Sequence, residues 1–466
     1  MKSTLVRAVL FWTVASGLCA DARAGLQSQI DAIVRRNAKV DFSICVMDAQ
    51  TDRVVYQHHA KRSLIPASNM KIVTSAAALH YLGPNFEFVT RVGLSGDTLI
   101  VIGSGDPLLG DTETDEVLGR APGWFMREIL AGLRKVGRRR IIDLLIDSTV
   151  FDDQRVHPRW SPDELNRSYA CEVCGLNFNG NCISMRVRNA AGRIAVLIEP
   201  DTRFVSIKNR VQAIQSGSQA VGAYRIAGRP NHLEVRGKCK TEQGPFDVAI
   251  ENPAIFFGFL LAEFLGSEGI SLQGQIVERA FAPSPDWQPV ALCRTPLGEC
   301  LKRCNKDSFN LVAEALLKEI GVHANGGRGD GSWAQGSLAV EAWLQNLGIE
   351  PSEYVIDDGS GLSRANRLSA NAIVSVLRSV YRGEHWDYYQ RTLAIGGVDG
   401  TMKKFFRHHR YQGKFMGKTG YIDRVRGFSG VCHTSGKDFL FSILANNANN
   451  IRSVVNSIAE AIVDTQ

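Results

Sequence analysis

Three short motifs lie far apart in this chain: Ser68-Asn69-Met70-Lys71, Ser308-Phe309-Asn310 and Lys418-Thr419-Gly420. Each alone is weak, because S-x-x-K and S-x-N recur by chance in most chains of this length. Their chemistry is coherent, however. A serine hydroxyl is a poor nucleophile near neutral pH and needs a close base. A lysine one helical turn later can supply it, provided partial burial near other cations helps it shed its proton. A second serine can relay that proton to a leaving amine. Lys-Thr-Gly reads as an edge strand able to pair with an extended substrate and hold its carboxylate. To serve one reaction, the three motifs must converge across about 240 and about 110 intervening residues.

In this order the motifs resemble those of serine acyltransferases that attack D-Ala-D-Ala amides or β-lactams. Compact β-lactamases hold the first two only about 60 residues apart, so roughly 180 residues are inserted here. Longer stretches narrow the resemblance: Leu64-Ile65-Pro66-Ala67-Ser68, Gly103-Ser104-Gly105-Asp106-Pro107, Asp358-Gly359-Ser360-Gly361-Leu362-Ser363-Arg364 and Gly396-Gly397-Val398-Asp399-Gly400-Thr401-Met402. Over nearly the whole mature chain they resemble the low-molecular-mass class C penicillin-binding proteins, the D-alanyl-D-alanine carboxypeptidase/endopeptidase family (serine peptidase S13). The resemblance implies an α/β (α+β) catalytic domain of the penicilloyl-serine transferase, β-lactamase-like kind, carrying a large, mainly β insertion.

It also implies roles. Ser68 attacks the penultimate D-Ala carbonyl and Lys71 takes its proton. Ser308 passes a proton to the leaving amine, Lys418 keeps the field positive, and Asn310 orients Lys71 and the substrate peptide. Thr419, within the Lys-Thr-Gly strand that ends at Gly420, receives the terminal carboxylate with Ser308. The N–H groups of Ser68 and Tyr421 form an oxyanion hole. Asp147 and Arg364 match positions that reach a diaminopimelate side chain, although a structural ion pair explains them equally well. No cofactor or metal is implied. The partners are peptidoglycan peptides and, as covalent inhibitors, β-lactams. Three departures stand out: Phe309 replaces a common Asp, Tyr421 a common Thr, and Tyr169 to Leu176 differs from the family's usual run.

Three other readings compete. A class A β-lactamase loop resembles Arg159 to Asn166, but Ser161 occupies its glutamate position. S-x-x-K esterases carry Tyr-x-Asn where this chain has Ser308-Phe309-Asn310. A silent wall-binding protein would not need every motif residue intact.

At 466 residues the chain suggests two or three domains. Lys2 and Arg7, an apolar run from Ala8 to Ala20, and Ala22-Arg23-Ala24 read as a secretory leader cleaved after Ala24. That predicts a periplasmic or secreted protein. The net charge of +7 is mild. It suits an anionic wall or peripheral membrane contact, and no basic, aromatic-studded stripe argues for nucleic acid. Nine cysteines remain without Cys19. Cys171, Cys174 and Cys182 read as a local disulfide or buried thiols in preference to a metal cluster. Cys300, Cys304 and Ser308 would share one helix face.

The expected layout is a leader over 1–24, a first catalytic part over 25–91, an insertion over 92–252 (a second insert falling near 168–248), and a second catalytic part over 253–466. Strands are predicted at 41–48, 53–57, 98–102, 141–146, 182–188, 193–199 and 232–238, with helices at 30–37, 70–82 and 123–136. Helical patterns resume over 253–265 and run through 295–320. Gly326 to Gly331 reads as a surface loop and the histidines as surface residues.

Overall fold

The computed structural model describes residues 25–464 apart from 283 and 325–329. The leader and most of the Gly326–Gly331 stretch therefore lie outside the described residues. Contacts divide the chain into two compact units. Of the described residues, one gathers those up to His80, Leu301–Ser308 and those from Ser337 onward; the other gathers those within Tyr81–Cys300 and Phe309–Gly336.

The first unit is built on a six-stranded antiparallel sheet. Its order is Ala394–Ile395, Phe415–Ile422, Val425–His433, Asp438–Asn446, Asp41–Asp48 and Val54–His58. The central strands are buried along nearly their whole length, as strands covered on both faces must be. Alternation sorts the side chains. Phe42, Ile44, Phe428, Phe441 and Ile443 join Val455, Ile458 and Ile462 of the C-terminal helix Arg452–Asp464 and Ile30 of the 25–36 helix. The intervening residues face the other way, where Ser43 Oγ accepts the Ala370 N–H at 3.0 Å and so seats the helix Ala370–Tyr381. Each buried Phe or Ile contributes about 1.5–3 kcal/mol.

The second unit has a five-stranded sheet ordered Ile276–Glu278, Leu144–Asp147, Thr98–Ile102, Glu87–Ser95 and Gln288–Pro296, and two three-stranded sheets formed within 182–249. The helix Trp124–Lys135 buries Phe125, Ile129, Leu130 and Leu133, the spacing of one helical face. Gly132 lets it close on the Val290 backbone, whose oxygen would lie 2.2 Å from a Cβ there. The helix Pro253–Ser267 starts where the Asn252 side chain caps the Ile255 N–H and Pro253 needs no donor. Its Phe256, Phe257 and Leu261 enter the core of this second unit. The sequence boundaries at 92 and 253 thus differ from the contact division, which keeps Glu87–Ser95 and 253–300 with the inserted strands.

The 295–320 run is not one helix. It breaks into Leu297–Lys306 and Asn310–His323, with Ser308 at φ 62° between them. Ser308 therefore does not share a helix face with Cys300 and Cys304. His157 departs from the surface reading: it is buried against Trp160 and Trp333.

Candidate active site

The chain enters the site through a tightly held turn. Leu64 exchanges backbone hydrogen bonds with Leu368, each 2.9 Å. Asn446 grips Ile65 with both ends of its amide, accepting from its N–H and donating to its carbonyl, each at 3.0 Å. Ala67 then takes a positive φ of 46°, and a short 3₁₀ turn, Ala67–Asn69, runs straight into the helix Met70–Leu82. Ser68 thus sits at a helix start, where backbone N–H groups point outward and favour developing negative charge.

Lys71 is fully buried, its Nζ donating to Ser68 Oγ at 3.1 Å and to the Ser360 carbonyl at 3.0 Å. The loop bearing Ser360 is fixed by Asp358, whose buried carboxylate accepts from the N–H groups of Gly361 (2.7 Å) and Ser363 (2.6 Å) and from Asn366 Nδ2 (2.7 Å). Gly361, at φ 82°, lies so close to the nucleophile turn that a Cβ would meet the Ala67 oxygen at 1.9 Å. Thr74 Oγ1 completes the seam by donating to the Gly359 carbonyl at 2.7 Å.

Lys418 is also fully buried; its Nζ donates to Ser308 Oγ and to the Thr419 carbonyl, both at 2.9 Å. Burial, then the charge of Lys71, holds its proton affinity well below that of an ordinary lysine. Lys306 and Asp399 form an ion pair just before Ser308, and Gly400 lets the Lys306 carbonyl approach. The first unit thereby brings Ser68, Lys71, Ser308 and Lys418 into one electropositive cluster. Two serine–lysine hydrogen bonds there can pass a proton from one hydroxyl toward another group.

Thr419 Oγ1 lies 3.5 Å from Thr401 Oγ1. Among the described residues, the Ala394–Ile395 strand pairs with Gly417 and Met416 only, so the outer edge from Lys418 onward is open. Gly420 serves packing. A Cβ there would lie 2.5 Å from Asn69 Nδ2, and one on its cross-strand neighbour Gly427 would lie 2.1 Å from the same atom. The fully buried Asn69 amide, donating to the Pro66 carbonyl at 3.2 Å, thus wedges the nucleophile turn onto two glycines. Gly427→Ala is expected to cost about 1–3 kcal/mol of stability and to slow acylation of Ser68. Adding Asn69→Ala should restore much of both, as read by urea unfolding and by the rate of covalent labelling.

The remaining expected residues have their own partners. Asn310 opens its helix in the second unit and donates to the Tyr169 carbonyl at 2.8 Å. Asp147 is buried there, with one oxygen accepting from Thr149 N and Oγ1 and the other from the Phe281 N–H at 2.9 Å. These are turn-fixing bonds, not an ion pair. Arg364 is exposed and donates to the Asp423 carbonyl at 3.0 Å; Tyr421 is exposed, with Arg426 stacked on its ring. Asn69, Asn446 and Asp358 carry functional geometry to which the sequence pattern assigns no role. The nine described cysteines are all free and buried, and burial pushes the Cys171 and Cys174 thiols up to about 12. No group of three or more His, Cys, Asp or Glu is placed to hold a metal among the described residues.

Known proteins resemble this chain. The family described as D-Ala-D-Ala carboxypeptidase 3 (S13) matches residues 26–465. A D-alanyl-D-alanine carboxypeptidase from Actinomadura sp. (strain R39) is 29% identical over 453 residues, covering 90% of this chain and 81% of the relative. D-alanyl-D-alanine carboxypeptidase DacB from Haemophilus influenzae is 25% identical over 368 residues, covering 75% of this chain and 73% of its own. The crystal structure of penicillin binding protein 4 (dacB) from Haemophilus influenzae superposes with a TM-score of 0.77 at 21% identity, covering 93% of this chain and 98% of that one, so the two share the penicilloyl-serine transferase fold. The chain therefore belongs to the D-Ala-D-Ala carboxypeptidase 3 (S13) family and is a serine peptidase of the D-alanyl-D-alanine carboxypeptidase class.

Proposed function

We propose that the exported protein trims the terminal D-Ala from peptidoglycan stem peptides and also cleaves D-Ala-to-diaminopimelate cross-links, through an acyl-enzyme on Ser68. The hydrogen bond from Lys71 to Ser68 at 3.1 Å carries this reading. Lys71 takes the Ser68 proton as the hydroxyl attacks the penultimate D-Ala carbonyl. The N–H groups of Ser68 and Tyr421 receive the developing oxyanion. Ser308, held by Lys418, delivers a proton to the leaving amine, and Thr419 binds the terminal carboxylate. Asn310, two residues past Ser308, engages the substrate's peptide chain, and Arg364 the upstream side chain. Asp147 is better explained by the turn it fixes. Water then releases the acyl group. A β-lactam acylates by the same route and leaves slowly, because its ring remnant stays tethered. We assign export to cleavage after Ala24, with the inserted segment between the catalytic parts; no described helix is long and apolar enough to cross a membrane.

Intact mass after incubation of the mature protein with benzylpenicillin tests the reading, and the same spectrum of exported protein reports the cleavage point. One adduct per chain, absent from Ser68→Ala, is expected. Its absence from folded wild-type protein would leave a silent wall-binding module.

A further inference from the structure

Past Gly420 the open-edged strand ends in a tight hairpin: Tyr421 pairs with Arg426 and Ile422 with Val425, leaving Asp423 and Arg424 at the tip. A largely polar cavity of about 300 Å³ opens beside it, lined by Tyr421, Asp423, Arg424, Arg426, Asn449 and Asn450 among others. Its charge is unbalanced. The Arg426 guanidinium is half-buried and locked 3.9 Å above the Tyr421 ring, while Arg452, close behind, lies over Phe405 at 4.8 Å. Burial, then the charge of Arg452, lowers the proton affinity of Arg426, a group that would be eased by a nearby anion. Arg424 is exposed at φ 59°. Asp423 is the acid in the lining, yet among the described residues it forms no ion pair with Arg424, Arg426 or Arg452 within 4 Å. Its backbone carbonyl instead takes the Arg364 guanidinium. Four arginines therefore surround one hairpin that holds a single carboxylate.

The direction of the substrate decides what reaches this cavity. With the terminal carboxylate at Thr419 and the scissile carbonyl at the Tyr421 N–H, the leaving residue lies toward Lys418. The acyl portion then runs past Ile422 toward the hairpin tip. At about 3.3 Å per extended residue, a group two or three residues upstream of the scissile amide arrives level with Asp423 and Arg424. Fork-shaped guanidinium donors suit a planar carboxylate there.

We infer that this cavity is a subsite for a free carboxylate on the acyl portion of the stem peptide, held by Arg424 and Arg426. The inference rests on the substrate direction given under the proposed function. It predicts that the enzyme distinguishes stem peptides whose upstream carboxyl is free from those in which it is amidated.

Two synthetic peptides ending in D-Ala-D-Ala test it, identical except that a γ-linked glutamate upstream bears a free α-carboxylate or a carboxamide. Release of D-Ala by wild-type protein is expected to favour the free acid about tenfold in kcat/KM, mostly through KM. Arg424→Gln should lose part of that preference, and Arg424→Gln with Arg426→Gln all of it, while turnover of the amide peptide changes less than twofold. Where turnover is slow, protection of Ser68 from benzylpenicillin by each peptide reads the same preference. Equal use of both peptides by the wild type, or an unchanged preference in the double variant, overturns the subsite. So does arginine-dependent binding to phosphatidylglycerol vesicles combined with equal peptide use, which would give the cavity to a lipid headgroup. Benzylpenicillin acylation separates the two levels of failure. Ser68 labelled normally with no peptide preference removes the subsite alone; unlabelled Ser68 removes the proposed reaction and, with it, the substrate direction.

Discussion

Lys71→Met is expected to slow acylation of Ser68 by about a thousandfold, the usual worth of a positioned general base, while leaving the fold in place. Methionine keeps most of the buried stem's volume and loses the amine that meets Ser68 Oγ and the Ser360 carbonyl. Stopped-flow labelling with a fluorescent penicillin measures the rate; a variant within tenfold of wild type would remove Lys71 from the base role. The pH profile carries a second sign. Lys418 is buried and faces Lys71, so the pair sheds its first proton below the ordinary lysine range. Acylation should therefore rise with pH below the range in which an ordinary lysine titrates, as a neutral amine becomes available. Lys418→Met removes the neighbouring cation and should move the rise of the residual rate toward alkaline pH. Because the folded affinity of Lys418 is depressed, the unfolded chain binds more protons between the two values. Stability from this group consequently grows as pH rises through that window and is lost below it.

Asp358→Ala is expected to cost about 3–5 kcal/mol, because it strands two buried N–H groups and the Asn366 amide that now bond to a carboxylate. The loss should not stay in the loop. Ser360 holds Lys71 and Gly361 abuts the Ala67 carbonyl, so residual folded protein should also label more slowly. Urea midpoints report the first effect and labelling of the folded fraction the second. Asp358→Asn keeps one acceptor and should fall between. A variant as stable and as fast as wild type would show the loop to be held by other contacts.

Residues that touch within one helical turn are legible in the amino-acid order itself. Ser68 and Lys71 are the clearest case, since three positions on a helix fix their meeting. Ser308 and Lys418 are legible only as motifs, because nothing local says that residues 110 apart share a hydrogen bond. The break at Ser308 is hidden: no glycine or proline marks it, and the apolar pattern runs on through both helices. Pro253–Ser267 reads as a helix, but it is apolar on nearly every side, so its pattern cannot say which core it enters. Asp147 looks available in the sequence because its partner, the Phe281 N–H, lies far along the chain. Gly420 reads as part of the substrate-pairing strand, whereas Asn69 explains why no side chain fits at Gly420 or at Gly427.

The pairing of Asp41–Asp48 with Asp438–Asn446 spans about 400 residues of chain. Synthesis delivers the Ser68 segment long before the strand that carries its anchor, Asn446. The second unit, Tyr81–Cys300 with Phe309–Gly336, is made before the strand Asp438–Asn446 and can condense while that strand is still to come. The nucleophile turn must wait, so a nascent or C-terminally clipped chain can hold a well-formed insert and no reactive serine. Acylation of Ser68 should thus report that the Asn446 strand has docked beside the nucleophile turn.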